Sequence, residues 1–398
     1  MPRMTPHETA GSSQSNGHDA LTAGASFERL ALSLAKRGLG QTWPNPSVGA
    51  AIVSSDGREI VGEGFTGQGG RPHAEAIALA AAGERARGAS MYVTLEPCAH
   101  HGMTPPCSDA IVAAGVTRVV YGVVDPDPRV SGAGLARLEA NGVSVRQGAF
   151  SDEAAWINLG HTLRITHGRP FVQLKLAVGC DGKVPAGDGA PVWVTCEASR
   201  EYAHRLRAEA DAIAVGSGTI AADDPQLTCR LPGLFHRSPV RVVFSSRADV
   251  PTSARLFRDI ESVPVWIVAG AEAARGASAL RKAGAMVIEA PAPGGRLAIG
   301  PSLEALAGHG LTRLFVEGGP ALAGAFLDAG LVDELFIFKA AKAAGPAGLA
   351  PFGGAGLERL DALPQFRLVG ERRVEGDVIL TYRRSLSDIL AQKTGTGG

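Results

Sequence analysis

His73 and Glu75 stand two residues apart in the sequence, and Cys98 and Cys107 follow, each behind a proline. One imidazole and two thiolates are ligand types that zinc takes, and three protein ligands leave a fourth position for water. Zinc lowers that water's pKa to about 7, so hydroxide is available at neutral pH to attack an electrophilic ring carbon. Glu75, close to a ligand, is placed to carry the proton from the water to a departing amine. These four residues point to hydrolytic removal of an amino group, with Glu75 as the catalytic residue and His73, Cys98 and Cys107 on the metal.

The order H-x-E and then P-C-x-x-C is a zinc-deaminase signature. Here eight residues, not two, separate the cysteines. The gap runs from the end of a strand to the start of a helix, so it reads as an inserted loop that returns both sulfurs to one point. His73 and Cys107 each open a helix, where free backbone N–H groups favour thiolate over thiol. Two other readings stay open on these residues alone. One is a helix surface with buried thiols; the other is a closed structural zinc with His100 or His101 as fourth ligand.

The elements that must carry these residues follow from periodicity and punctuation. Phe27, Leu30, Ala31 and Leu34 recur at helical spacing between a Ser26 cap and a left-handed turn at Gly38. Residues 48–53 and 60–65 form a hairpin about Ser55-Asp56-Gly57. Helices over 73–82, 106–114 and 135–140 then alternate with strands over 91–95, 118–124 and 143–146. A helix over 151–166 ends at His167-Gly168-Arg169-Pro170, where we place a domain boundary. Beyond it strands at 171–178, 212–215, 240–244, 265–268, 286–288, 314–316, 334–338 and 378–382 alternate with helical text that includes 198–208. Both halves therefore read as α/β layers with helices over mixed sheets. The expected organisation is a flexible tail over 1–25, a first domain over 26–167, a second over 168–384 and a tail over 385–398, its end, 393–398, frayed.

The second half lacks a convincing G-x-G-x-x-G after a strand, so a Rossmann site is not supported. Its better candidate is Glu317-Gly318-Gly319-Pro320-Ala321-Leu322-Ala323-Gly324, an apolar strand, two glycines and a helix that starts at the proline. Glycines let a ligand approach the backbone, and a helix N-terminus presents N–H groups to a phosphate.

The chain has 398 residues, which favours two domains. Its 39 Lys+Arg balance 39 Asp+Glu, so no broad cationic surface offers itself to nucleic acid or an anionic membrane. No apolar run approaches the ~18–20 residues that span a bilayer, and the N-terminus lacks a secretory apolar centre, so the expected setting is the cytoplasm. Five cysteines make a poor disulfide framework. Cys180, Cys196 and Cys229 are expected as reduced thiols in the second domain.

Taken together, Pro44-Asn45-Pro46-Ser47-Val48-Gly49, His73-Ala74-Glu75 and the run from Thr94-Leu95-Glu96-Pro97-Cys98 to Cys107 resemble the bifunctional deaminase/reductase family of riboflavin biosynthesis. Gln173-Leu174-Lys175-Leu176, Asp181-Gly182-Lys183, Ala222-Asp223-Asp224-Pro225 and Phe315-Val316-Glu317-Gly318-Gly319-Pro320 extend the resemblance over residues 26–384. The eight-residue insert is that family's own pattern.

The resemblance implies a cytidine-deaminase-like three-layer α/β/α domain and a dihydrofolate-reductase-like α/β domain. The first would remove the 2-amino group of 2,5-diamino-6-(5-phosphoribosylamino)pyrimidin-4-one with Zn2+; the second would reduce the ribosyl group of the product to ribityl with NADPH. It implies the same roles for His73, Cys98, Cys107 and Glu75. Asn45, His100, Thr104 and the Asp125-Pro126-Asp127 turn match the deaminase substrate pocket. Ala177, Trp193, Thr219, Asp223, Ser246 and the loop Gly319, Pro320, Ala321, Leu322, Ala323, Gly324 and Ala325 match cofactor contacts. Arg207, Leu227, Arg230 and Glu317 match substrate contacts, and the two guanidinium groups suit a substrate phosphate. Trp193 stacks on a ring or fills core; Arg247, beside Ser246, is placed for the 2′-phosphate of the cofactor. Lys175, Asp181 and Lys183 are the candidates for the proton donor in reduction. The partner implied is a small pyrimidine ribonucleotide-like molecule, and the reading leaves room for a homo-oligomer. An alternative is a zinc deaminase of another nucleoside-like substrate fused to a diverged reductase. Three departures from the family pattern, Met103, Pro191 and Gly179-Cys180, bear on substrate recognition.

Overall fold

The computed structural model describes residues 15–102, 105–187 and 193–392. The expectations resting on Met103, Thr104 and Pro191, and on residues 1–14 and 393–398, lie outside the described residues. Contacts divide the chain into one unit of Met1–Arg37, Val48–Phe65 and Pro72–Ala155 and another of Gly38–Ser47, Thr66–Arg71 and Trp156–Gly398.

In the first unit α1 (Ser15–Gly38), β1 (Gly49–Val53), β2 (Ile60–Phe65), α2 (Ala74–Ala82), β3 (Ser90–Leu95), α3 (Cys107–Ala113), β4 (Arg118–Val123), α4 (Ala133–Ala140) and β5 (Ser144–Gln147) follow in order. The sheet runs β2-β1-β3-β4-β5. β1 is antiparallel to β2 and β3, and β3-β4-β5 are parallel. Alternate residues Ala50, Ile52, Met91, Val93 and Val119 form the core with Ala74 and Ala78 of α2, Ile111 of α3 and Leu138 of α4. The opposite face meets α1: a Cβ on Gly49 would lie 2.1 Å from the Ala31 carbonyl oxygen. Helices thus cover both faces, the three-layer arrangement expected. Gly64 allows the same close approach on the other side, because its Cβ would fall 2.2 Å from the Ala74 carbonyl oxygen. That contact seats the first turn of α2, and with it His73 and Glu75, against the sheet.

α5 (Ser151–His167) spans the division between the units. The second unit then carries β6 (Phe171–Val178), α6 (Glu197–Ala208), β7 (Ala212–Gly216), α7 (Ser217–Asp223), β8 (Val240–Phe244), β9 (Val265–Ala269), α8 (Ala274–Lys282), β10 (Met286–Glu289), α9 (Ile299–Gly308), β11 (Arg313–Val316), α10 (Pro320–Asp328), β12 (Glu334–Lys339), β13 (Arg367–Val374), β14 (Asp377–Arg383) and α11 (Leu386–Ala391). Its sheet order is β10-β9-β8-β7-β11-β6-β12-β14-β13. The strands from β10 to β12 are parallel, and β14 and β13 add an antiparallel edge. The parallel strands are buried on both faces, with Leu174, Val242 and Leu314 on one side and Ile213, Val243 and Phe315 on the other. That explains their nearly continuous apolar text. The chain leaves β7 toward β8 on one side and leaves β11 toward β12 on the other, so the strand order reverses between β7 and β11. Ligands of open parallel sheets gather at the carboxyl ends of strands beside such a reversal.

Two expectations are corrected. The first helix starts at Ser15, ahead of the Ser26 cap and inside the expected tail, and Gly40, not Gly38, takes the left-handed turn with φ 75°. The residues before Ser26 have no apolar period, so patterning did not extend the helix. The expected tail over 385–398 begins with α11, whose first turn is capped by Ser385 accepting from the Asp388 N–H at 3.1 Å. Ile389 is fully buried with Leu159, Leu163 and Phe171, which gives this short helix its anchor.

Candidate active sites

His73 is the N-cap of α2 and Cys107 is the first residue of α3, while Cys98 follows β3. The loop between the two cysteines brings their sulfurs to the imidazole. Nδ1 of His73 lies 3.3 Å from Sγ of Cys107 and 3.7 Å from Sγ of Cys98, and the three ligand atoms all fall within 4.8 Å of one another. A tetrahedral zinc with ordinary bond lengths puts sulfur and nitrogen about 3.5 Å apart and two sulfurs about 3.8 Å apart. The donor set and its spacing therefore fit zinc. The Cys107 N–H donates to Sγ of Cys98 at 3.3 Å, and Ser108 binds the Cys98 carbonyl through its N–H and hydroxyl. Hydrogen bonding from Cys107 and then from His73 outweighs burial and pulls the Cys98 thiol down to about 4. The hydrogen bond to Cys98, together with burial, pushes Cys107 up.

Glu75 sits in the first turn of α2 and is only 4% exposed. Burial raises its carboxyl to about 6, against the pull of His73. A carboxyl held near neutrality can take up and release a proton at working pH.

Sequence reasoning gave no role to Glu96, which organises the neighbouring loop. This buried carboxylate accepts the N–H groups of Asp125, Gly132, Gly134 and Leu135 at 2.9–3.4 Å. It ties the Asp125 turn and the start of α4 to the strand end that leads into Cys98. Asp125 in turn accepts the Asp127 N–H at 2.9 Å, and Asp127 holds Arg129. His100 keeps Nδ1 buried with no hydrogen-bond partner among the described residues. Asn45 belongs to the segment Gly38–Ser47 and donates to the Gly69 carbonyl at 3.2 Å.

In the second unit Ala177 is the last residue but one of β6, Thr219 and Asp223 follow β7, Ser246 follows β8, and Glu317 and Gly319 follow β11. These candidates share one sheet edge, the carboxyl ends of parallel strands. Gly319 caps α10, Pro320 is its first residue, and the Gly319 N–H donates to the Thr219 hydroxyl at 3.0 Å across the strand reversal. Ala321 and Leu322 supply first-turn N–H groups. Ala323 and Gly324 are buried in the core, Gly324 against the Phe352 backbone, so these two residues of the expected cofactor loop face the protein. Trp193 is 58% exposed under the Arg200 guanidinium, which decides against a core role.

Arg207 of α6 meets Glu317 through two bonds of 2.6 and 2.8 Å and donates to the Thr228 carbonyl at 3.0 Å. Its fork therefore faces a carboxylate, whereas the sequence pointed it at a phosphate. Lys175 lies 4.0 Å from the same carboxylate. All three side chains are between 11% and 15% exposed. Burial raises Glu317, but Arg207 and Lys175 outweigh it and hold the carboxyl at about 2. Burial lowers the Lys175 ammonium despite Glu317. Asp181 is kept ionised, its carboxyl lowered by the Ala344 N–H and, beyond a small opposing effect of burial, by that of Gly345. Leu227 buries its side chain in the core and takes a left-handed φ of 59°. Arg230 is exposed.

A cavity of about 620 Å³ opens at the carboxyl ends of β8, β9 and β10. Ser246, Arg247, Gly270, Arg275, Ala290 and Gly295 are among its walls. Its size suits part of a dinucleotide. Arg247 pairs there with Asp249 at 3.1 Å.

The family model described as the cytidine and deoxycytidylate deaminase zinc-binding region matches residues 23–123, and that of the RibD C-terminal domain matches residues 170–380. Fold and site thus define a two-domain α/β enzyme, a zinc-type deaminase joined to a reductase. Riboflavin biosynthesis protein RibD of Escherichia coli (strain K12) is 41% identical over 361 residues, covering 88% of this chain and 96% of that protein. RibD of Acinetobacter baumannii (form 1) superposes with a TM-score of 0.80 at 34% identity, over 92% of this chain and 99% of that one. The Thermotoga maritima diaminohydroxyphosphoribosylaminopyrimidine deaminase/5-amino-6-(5-phosphoribosylamino)uracil reductase does so at 0.77 and 34%, with the same coverage. The chain belongs to the RibD family of riboflavin biosynthesis proteins. It is a bifunctional enzyme with deaminase and reductase domains. Among the described residues no helix is long and apolar enough to cross a membrane.

Proposed function

We propose that the chain takes the substrates named for its Thermotoga relative: it deaminates 2,5-diamino-6-(5-phosphoribosylamino)pyrimidin-4-one and then reduces the ribosyl group of the product to ribityl. The observation that carries the first step is the convergence of His73, Cys98 and Cys107 beside a buried Glu75. His73, Cys98 and Cys107 hold Zn2+, which when bound supplies Lewis acidity and an acidic water. Glu75 takes a proton from the attacking water and hands it to the departing amine, so that water adds to the ring carbon and ammonia leaves. His100, Asp125 and Asp127 line the substrate side of this site, the Asp125 turn held in place by Glu96.

NADPH is the reductant for the second step; when bound it supplies hydride. Its loops are those that carry Ala177, Thr219, Asp223 and Gly319 to Leu322, with Trp193 exposed nearby in sequence, and the cavity beside Ser246 takes the far end, where Arg247 and Arg275 meet the 2′-phosphate. Glu317 orients the ribosyl hydroxyls and Arg230 meets the substrate phosphate. Lys175 delivers the proton that accompanies hydride from its ammonium, which burial makes readier to give that proton up. Asp181 is excluded from that role because its carboxylate is committed to backbone N–H groups. The balanced charge of the chain goes with a small phosphorylated substrate in the cytoplasm and not with a polyanion. The test is a pair of assays on the zinc-loaded protein, ammonia release from the diaminopyrimidine phosphate and NADPH oxidation by the deaminated product. Preferential turnover of cytidine would instead favour a deaminase of free nucleosides.

A further inference from the structure

The segment from Leu227 to Arg230 holds a conformation that the chain does not adopt by default. Leu227 sits at a φ of 59°, a region that branched side chains rarely occupy, while its side chain is buried. The surrounding structure must therefore fix this segment. Most of the fixing comes from one face of α6. His204 accepts the Arg230 backbone N–H on Nδ1 at 3.2 Å, and its own carbonyl takes the Cys229 thiol at 3.5 Å. One turn further on, Arg207 takes the Thr228 carbonyl at 3.0 Å while gripping Glu317. His204 and Arg207 are three residues apart and so lie on the same helix face. Ser238 completes the hold by accepting the Cys229 N–H at 3.0 Å.

For Nδ1 to accept a backbone N–H the ring must be neutral, with its proton on Nε2. The surroundings enforce this: burial first, then the Arg207 and Arg230 guanidinium groups, hold the imidazole at about 4. A charged ring would be a third cation between two arginines. A neutral one lets Arg230 stand within electrostatic reach of Arg207 and Glu317 without adding to the repulsion between the two guanidinium groups. The Arg230 side chain has no ion pair or hydrogen bond among the described residues, so its donors are available to a ligand.

We infer that His204 is a positioning residue for the reductase, holding the Arg230 backbone through Nδ1 so that the Arg230 guanidinium is fixed beside the Arg207–Glu317 pair to receive the substrate's phosphate. This rests on the proposed role of Arg230. His204 touches neither substrate nor cofactor; it acts through the loop it holds. Its contribution falls on binding of the phosphorylated substrate, not on hydride transfer.

The full zinc-loaded chain is used throughout, and NADPH binding reports that the second unit of a variant has folded. We would compare His204→Ala, His204→Asn and Arg230→Gln in the reduction of 5-amino-6-(5-phosphoribosylamino)uracil at saturating NADPH, and in inhibition by inorganic phosphate. His204→Ala raises both the KM and the phosphate inhibition constant about tenfold, the upper range for the loss of one hydrogen bond, with kcat and ammonia release little changed. His204→Asn returns an acceptor near Nδ1 and restores both constants to within about threefold. An unchanged KM in His204→Ala, or His204→Asn as impaired as His204→Ala, overturns the inference. If Arg230→Gln leaves both constants unchanged, the phosphate role of Arg230 fails and the inference with it. If Arg230→Gln raises them and His204→Ala does not, only the role of His204 falls.

Discussion

Arg207 and Glu317, 110 residues apart in sequence, form a two-pronged ion pair at the mouth of the parallel sheet. Both are largely buried, and burial alone would raise the carboxyl, yet the pair holds Glu317 ionised at about 2. The Glu317 pKa in the folded protein thus lies below its ordinary 4.5. The stabilisation is complete above about pH 4.5 and is lost as the pH falls toward 2. Arg207→Gln leaves the buried Glu317 carboxylate with only the Lys175 ammonium at 4.0 Å and destabilises the second unit by about 2–3 kcal/mol at pH 7. Its unfolding temperature approaches that of the unsubstituted protein as pH is lowered through this window. A gap between the two that stays constant with pH would contradict the pairing.

Removal of one metal ligand separates the two activities. Cys107→Ser loses zinc by metal analysis and ammonia release with it, since three protein ligands are the minimum for this site. NADPH oxidation by the deaminated product continues at the original rate, because no residue of that site depends on the metal. Loss of both activities together would mean that zinc is structural for the whole chain.

On the proposed proton delivery by Lys175, Lys175→Met lowers reductase kcat about 10²-fold or more and leaves NADPH binding within a factor of two. Cofactor fluorescence titration measures binding and stopped-flow absorbance the hydride step. A lowered NADPH affinity with normal kcat would make Lys175 a cofactor ligand instead.

The cavity beside Ser246 carries two exposed arginines. Arg247→Ala combined with Arg275→Ala raises the KM for NADPH by about tenfold or more, the range of charge-assisted hydrogen bonds, and leaves that for NADH unchanged. Equal losses for the two cofactors would place the 2′-phosphate elsewhere.

The first site was legible because its chemistry is local. His73-Ala74-Glu75 opens one helix and Cys107 another, so spacing and helix signals together pick out the side chains that the fold brings within 4.8 Å of one another. The alternating strands of the second unit were legible for a related reason, since a buried parallel sheet writes apolar runs into the sequence. β13 was not, because its text, RLVGERRV, is an exposed edge with no apolar alternation. The second site was hard to read for a different reason. Glu317, Arg207, His204 and Lys175 converge from β6, α6 and the end of β11, and no spacing along the chain announces that. The family resemblance makes Arg207 a substrate contact and its charge suits a phosphate; the fold gives its fork to Glu317. Ala323 and Gly324 show the same limit, because helix geometry turns them into the core while their neighbours in the motif stay at the edge.

The division of labour between the two sites rests on Glu75. The decisive measurement follows ammonia release and NADPH oxidation separately in zinc-loaded Glu75→Gln, first with the diaminopyrimidine phosphate and then with its deaminated product. The account predicts full zinc content, ammonia release reduced about 10²–10⁴-fold, and unimpaired NADPH oxidation once the deaminated product is supplied. Normal ammonia release by Glu75→Gln would contradict it.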